Sequence, residues 1–132
     1  MANSLSGKLK IKPGQSVLLL NAPAETASWL EPLPAGATLR TAPGKGKIDA
    51  VLMFVKNRDE LRKHAPTALA AIEGDTLFWA AYPKGTSKIK TDINRDRGWD
   101  ELTAAGYMGV AQVSITDTWS AIRMRHTSFV KT

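Results

Sequence analysis

Ser16-Val17-Leu18-Leu19-Leu20-Asn21-Ala22 decides the fold. The run is continuously apolar from Val17 to Leu20 and is bounded by turn formers, Pro13-Gly14 before it and Pro23 after it. A strand with one wet face alternates apolar and polar residues. An unbroken short run instead reads as a strand buried on both faces, as in a parallel sheet. The pattern returns in Ile48-Asp49-Ala50-Val51-Leu52-Met53-Phe54-Val55 and again in Thr76-Leu77-Phe78-Trp79-Ala80-Ala81. A weaker strand is expected over Ala37-Thr38-Leu39-Arg40-Thr41.

The segments between the runs read as helices. One is expected from Glu25 to Leu33, with Trp29, Leu30 and Leu33 on one side and Pro32 and Pro34 ending it. Leu61, Ala65, Leu69 and Ile72 recur at helical spacing and predict a helix over 58–72. Asn57 and Glu60 have the spacing of a capping box before it, and Gly74 suits its C-terminal stop. Pro66 removes a backbone donor and is expected to kink or restart that helix. A third helix is expected from Asp92 or Arg97 to Ala105, closing at Gly106. Residues 107–116 and 119–126 alternate across Thr116-Asp117-Thr118 and read as an antiparallel hairpin. The expected fold is therefore one α/β domain over residues 1–132, a Rossmann-like three-layer sandwich with a mainly parallel sheet and a C-terminal antiparallel hairpin. Residues 1–7 and 127–132 read as loose ends.

The 132 residues carry a net charge of +6, and 43% are hydrophobic, which is ordinary for a globular domain. The absence of cysteine excludes disulfides, thiolate metal sites and a cysteine nucleophile. No apolar run approaches the ~20 residues of a membrane span, and Met1 to Gly7 has no signal-peptide core, so a cytoplasmic chain is expected. Basic charge suits an anionic partner, and solubility accounts for it equally well. No RNA-recognition, helix-turn-helix or zinc-finger pattern is present, so nucleic-acid binding rests on charge alone.

The chemistry-bearing stretch leaves the third long strand: Tyr82-Pro83-Lys84-Gly85-Thr86-Ser87-Lys88-Ile89-Lys90-Thr91-Asp92-Ile93-Asn94-Arg95-Asp96-Arg97. Five cations against two acids give it a charge of +3, half of the chain's total. Loops at the carboxyl ends of buried strands are where open α/β sheets bind ligands. Lys84, Lys88 and Arg95 supply charge for an anion, Thr86 and Ser87 hydroxyls, Gly85 a backbone amide, and Asn94 an orienting carboxamide. Trp119 and Arg123 share a face of the last strand with Arg125 and join the candidate set. The competing reading is a solvated loop whose cations pair with Asp92, Asp96 and Asp100, and a Trp119 packed on a sheet edge beneath an arginine stem. The three acids fall four apart; ion pairing is the plainer use for them than a metal or a general base. His64 and His126 read as surface residues. No catalytic residue, metal or cofactor is assigned.

Two resemblances follow from the quoted residues. Lys10 to Leu20, Asp49 to Val55, Tyr82-Pro83-Lys84-Gly85-Thr86-Ser87-Lys88, Trp119 and Arg123 together resemble an uncharacterised family of short bacterial proteins, a domain of unknown function, over Lys8 to Arg125. That resemblance implies architecture and no chemistry. The element order also resembles a shortened Rossmann-like methyltransferase domain, in which a glycine loop after the first strand cradles S-adenosylmethionine and an acid ends the second strand. Here the first strand runs into Asn21-Ala22-Pro23-Ala24-Glu25, and the second ends in Arg40-Thr41-Ala42. The leading expectation is a binding module for an anionic, phosphate-bearing ligand. The alternatives are a degenerate methyltransferase-like enzyme, with Asp92 or Asp96 as base, and a structural or interaction domain that forms a homo-oligomer through its hairpin edge or helices.

Overall fold

A computed structural model describes residues 5–23, 26, 30, 34–41, 48–72, 76–84, 91–93 and 98–129. Six strands form a single sheet: β1 (Ser16–Leu20), β2 (Thr38–Arg40), β3 (Ala50–Phe54), β4 (Leu77–Pro83), β5 (Tyr107–Ser114) and β6 (Trp119–His126). Their order across the sheet is β2-β1-β3-β4-β6-β5. The first four run parallel, and β6 and β5 add an antiparallel hairpin at one edge. The helices described over their whole length are α1 (Leu5–Lys8), α2 (Arg58–Ala71) and α3 (Asp100–Ala104), and a 3-10 turn follows β6 at Thr127–Phe129. The expected Rossmann-like sandwich, mainly parallel with its C-terminal hairpin, is the fold observed.

Strand alternation splits the apolar runs between two cores, which is why no polar residue interrupts them. Val17 and Leu19 of β1, Ala50, Leu52 and Phe54 of β3, and Trp79 and Ala81 of β4 face one layer. Leu9, Ile11 and Leu30 pack in that same layer, and the Trp79 indole N–H donates to the Leu9 carbonyl at 2.9 Å. Leu18, Leu20, Val51, Met53, Phe78 and Ala80 face the other layer, where Leu61, Ala65 and Ala68 of α2 and Leu102 of α3 meet them. Burying a side chain such as Leu18, Val51 or Phe78 contributes roughly 1.5–3 kcal/mol, so these two cores drive folding. Trp79 lies in the first of these cores and Trp99 in the second, edge-on to Tyr82 at 5.7 Å. Thr26 and Leu30 are helical and buried, in accord with a helix over 25–33; Trp29 and Leu33 lie outside the described residues.

Asn57 caps α2 as its spacing predicts: its side-chain oxygen accepts the Glu60 N–H at 2.9 Å. The Glu60 carboxylate does not close the box on Asn57 itself but accepts the Lys56 N–H at 2.8 Å. The ends of the helices add detail to the sequence expectation and, for the third helix, correct its start. Of the kink or restart expected at Pro66 the helix shows no restart: it runs on through the proline, which sits exposed within it. It stops at Ile72, in extended conformation, with Gly74 outside the described residues. The third helix begins only at Asp100, because Asp92 and Ile93 are held in a turn and Gly98 has a φ of +96°; in that turn the Thr91 hydroxyl accepts the Ile93 N–H at 3.0 Å. The hairpin is also less regular than its alternation implied, with a bulge between Gly109 and Ala111.

Gly106 turns the chain from α3 into β5 with a φ of +94°, and a Cβ there would lie 2.6 Å from Nε2 of His126. Gly106→Ala adds left-handed strain to a steric clash, at a cost of about 2 kcal/mol or more. Its urea midpoint should fall well below that of the parent with far-UV circular dichroism otherwise unchanged. An unaltered midpoint contradicts this account of the turn.

Candidate functional site

From β1 the chain crosses to β2 on one side, and β3 then returns to the other side of β1. Winding therefore reverses between β1 and β3. In open α/β sheets the ligand crevice lies there, outside the carboxyl ends of the strands. At that edge β1 delivers Asn21, β3 delivers Lys56 and Asn57, β4 delivers Lys84, and β6 begins with Trp119.

Asn21 takes a left-handed φ of +57°, the conformation glycine usually supplies in a sharp turn and asparagine tolerates. Its carboxamide nitrogen donates to the Phe54 carbonyl at 2.9 Å and to Oε1 of Glu60 at 2.9 Å. That same oxygen holds the Lys56 N–H. One side chain thus ties the exit of β1 to the exit of β3 and to the first turn of α2. Beside it lies a cavity of about 350 Å³, lined by Asn21, Ala22, Pro23, Lys56 and Trp119. Trp119 is only 5% exposed and stands edge-on to Phe54 at 5.1 Å. It forms a firm wall, and the exposed Lys56 supplies a cation at the rim.

The residues singled out in the sequence are placed unevenly. Gly85, Thr86, Ser87, Lys88, Asn94 and Arg95 lie outside the described residues. Lys84 is anchored to the hairpin: its N–H donates to the Thr118 carbonyl at 2.7 Å and its ammonium to the Ser114 hydroxyl at 2.6 Å. Trp119 pairs with Pro83 at the carboxyl end of β4, whereas Arg123 pairs with Trp79. The two are therefore about 13 Å apart along β6 at ~3.3 Å per residue. Arg123 is not among the residues that line the cavity, and its Nε is buried without a hydrogen-bond partner.

Asp92 and Asp100 both turn to one arginine, Arg58. Asp92 accepts the Arg58 backbone N–H at 2.8 Å, and Asp100 accepts its guanidinium at 2.9 Å. Asp100 is ion-paired, with a partner from α2 rather than from its own loop, whereas Asp92 takes a backbone N–H at the start of that helix. His126 Nδ1 accepts the Ser128 backbone N–H at 3.2 Å and sits 2.8 Å from its hydroxyl, so the imidazole caps the 3-10 turn.

A larger cavity of about 760 Å³ opens on the α2–α3 face, with Arg58, Asp92, Asp100, Trp99, Tyr107 and Met124 among its lining. Size alone favours it as a ligand site. Its arginine, however, is already paired with the Asp100 carboxylate, and its lower wall, Tyr107 and Met124, lies toward the amino end of β4. The smaller crevice has the position and the free-standing chemistry. Sequence reasoning found the Asn57–Glu60 box but missed that Glu60 and Asn21 meet; the available signal was an asparagine at the end of the first strand where a glycine turn is usual.

No family model and no curated protein matches the sequence. The resemblance to a family of short bacterial proteins thus finds no support there. Solved structures do match. TrmN from Thermus thermophilus superimposes with a TM-score of 0.56 at 12% identity over 95% of this chain, which spans 47% of TrmN, about half its length. A SAM-dependent methyltransferase from Aquifex aeolicus gives 0.55 at 10% identity over 89% of this chain and 86% of its own. DhpI, solved with SAH, gives 0.57 at 13% over 88% of this chain and 78% of its own. At such identities the likeness is one of fold, and the fold is the Rossmann-like one of these methyltransferases, shortened as the element order implied.

Tyr107 offers a test of the α2–α3 face. It packs edge-on to Phe78 at 5.9 Å and to His126 at 5.3 Å. Burial favours its neutral phenol and raises its pKa above the ordinary 10.0. The unfolded chain then loses this proton before the folded one does, so the stability it contributes is full below pH 10.0 and is lost as pH climbs through the folded value. Unfolding midpoints from pH 9 to 11 should fall less steeply in Tyr107→Phe than in the parent; parallel curves contradict the assignment.

Proposed function

We propose that the protein is a degenerate methyltransferase-like protein that keeps the ligand edge of the fold and binds a small molecule with a negatively charged group between Lys56 and Trp119. The cavity at the reversal point carries this reading, because it places one cation and one aromatic wall where the fold takes its ligands. The structural neighbours support the methyltransferase part. One is a SAM-dependent methyltransferase and another was solved with SAH.

The residues at this edge do not fit S-adenosylmethionine. Its cradle needs glycines, so that the backbone can approach the ligand closely, and the turn here is Asn21-Ala22-Pro23. An acid is also needed at the end of the second strand for the ribose diol, and Arg40-Thr41 stands there. No methyl-transfer step is assigned to the chain. At about 350 Å³ the cavity lies at the low end of the ~300–1,000 Å³ typical of ligand sites, which suits a small acid or a phosphate ester. The Lys56 ammonium takes the charged group and the Trp119 ring the apolar body. The sixteen-residue stretch of sequence from Tyr82 to Arg97, with its charge of +3, adds to the attraction.

Thermal unfolding with inorganic phosphate, benzoate and a nucleoside monophosphate tests the reading. A ligand at a hundred times its dissociation constant stabilises by about 2.7 kcal/mol, which raises the midpoint by several degrees. Lys56→Met should abolish that rise and Trp119→Phe should reduce it. A rise that survives Lys56→Met, or none with any of the three, overturns the proposal.

A further inference from the structure

We infer that the Asn21 carboxamide, locked to Glu60, occupies the space in which this fold takes a nucleoside-bearing cofactor, and so restricts the crevice to small ligands. The inference rests on the reading of the crevice as the ligand site.

The turn after β1 has kept its shape and lost its vacancy. A glycine turn serves two ends at once: it reaches a left-handed conformation, and it leaves nothing beyond the backbone. Asn21 meets the first requirement with its φ of +57° and defeats the second by carrying a side chain. The nitrogen of that side chain is fully engaged. A carboxamide nitrogen has two protons, and the bonds to the Phe54 carbonyl and to Glu60 account for both. Glu60 is held in turn, since the oxygen that receives Asn21 also receives the Lys56 N–H at 2.8 Å. Its own N–H is fixed by Asn57 at 2.9 Å.

Rotating Asn21 away would strip a donor from a carboxylate at the crevice and a partner from the Phe54 carbonyl. Unmade bonds of this kind are costly. A ligand that needs the backbone of residues 20–22 must break this set before it binds, whereas one content with Lys56 and Trp119 leaves the set intact. Asn21 is thus a specificity residue set by size.

Isothermal titration calorimetry with S-adenosylhomocysteine tests the inference. The parent should show no binding at about 1 mM ligand, and Asn21→Gly, which keeps the turn and deletes the carboxamide, should gain at least about tenfold in association. Asn21→Ala removes the same group and keeps the test open if the glycine variant fails to fold. Micromolar binding of S-adenosylhomocysteine to the parent, or no gain in a folded Asn21 variant, overturns the inference. Phosphate and benzoate titrated into the same parent sample separate the two readings. Loss of small-anion binding with the Asn21 result intact removes the proposed function alone, and the reverse outcome removes the size restriction alone.

Discussion

A parallel sheet that reverses its winding between two adjacent strands leaves a crevice at their carboxyl ends, which a side chain can bridge. In this protein the bridge is a single carboxamide, that of Asn21, held between the Phe54 carbonyl and Glu60. The rest of the edge follows from it. Glu60 is drawn away from the ordinary capping box toward Lys56 and Asn21, so the first turn of α2 is tied to both central strands. Lys56 is left projecting at the rim, and Trp119 closes the other side against Phe54.

Magnitudes separate what folds the chain from what shapes the site. Side chains such as Leu18, Val51, Phe54 and Phe78 are fully buried, each contributing roughly 1.5–3 kcal/mol. A hydrogen bond from Asn21 is worth about 1 kcal/mol net, so the bridge does not determine the fold. Its influence is steric and local: the bonds need only be strong enough to keep a side chain where a ligand would otherwise lie. The hairpin adds a second restraint at this edge. Lys84 spends its ammonium on Ser114 and its N–H on Thr118, which fixes the start of β6 and with it the Trp119 ring.

Strands buried on both faces announce themselves, because their sequence has no room for a polar residue. That is why β1, β3 and β4 were legible from Val17 to Leu20, Ala50 to Phe54 and Leu77 to Ala81. The hairpin was legible from its alternation, with Trp119 and Ala121 on one face and Ile122 and Met124 on the other. The start of α3 was not, since Asp92 before it looks like a helix-start signal while a Thr91 turn and the left-handed Gly98 keep it out of the helix. The site was half legible. Its place at the strand ends follows from the order of the elements, but a sequence does not show that Asn21 and Glu60, 39 residues apart, share a hydrogen bond. The basic stretch drew attention by its charge and by its place after the third long strand, and most of its residues lie outside those described.

The most direct test of the bridge is the side-chain amide signal of Asn21 in a 15N-resolved NMR spectrum, assigned by its loss in Asn21→Asp. A carboxamide bonded to Phe54 and Glu60 should exchange its protons slowly with water and keep its shifts when excess S-adenosylhomocysteine is added. Exchange at the rate of a free asparagine, or a shift that follows the added ligand, contradicts a crevice closed from within.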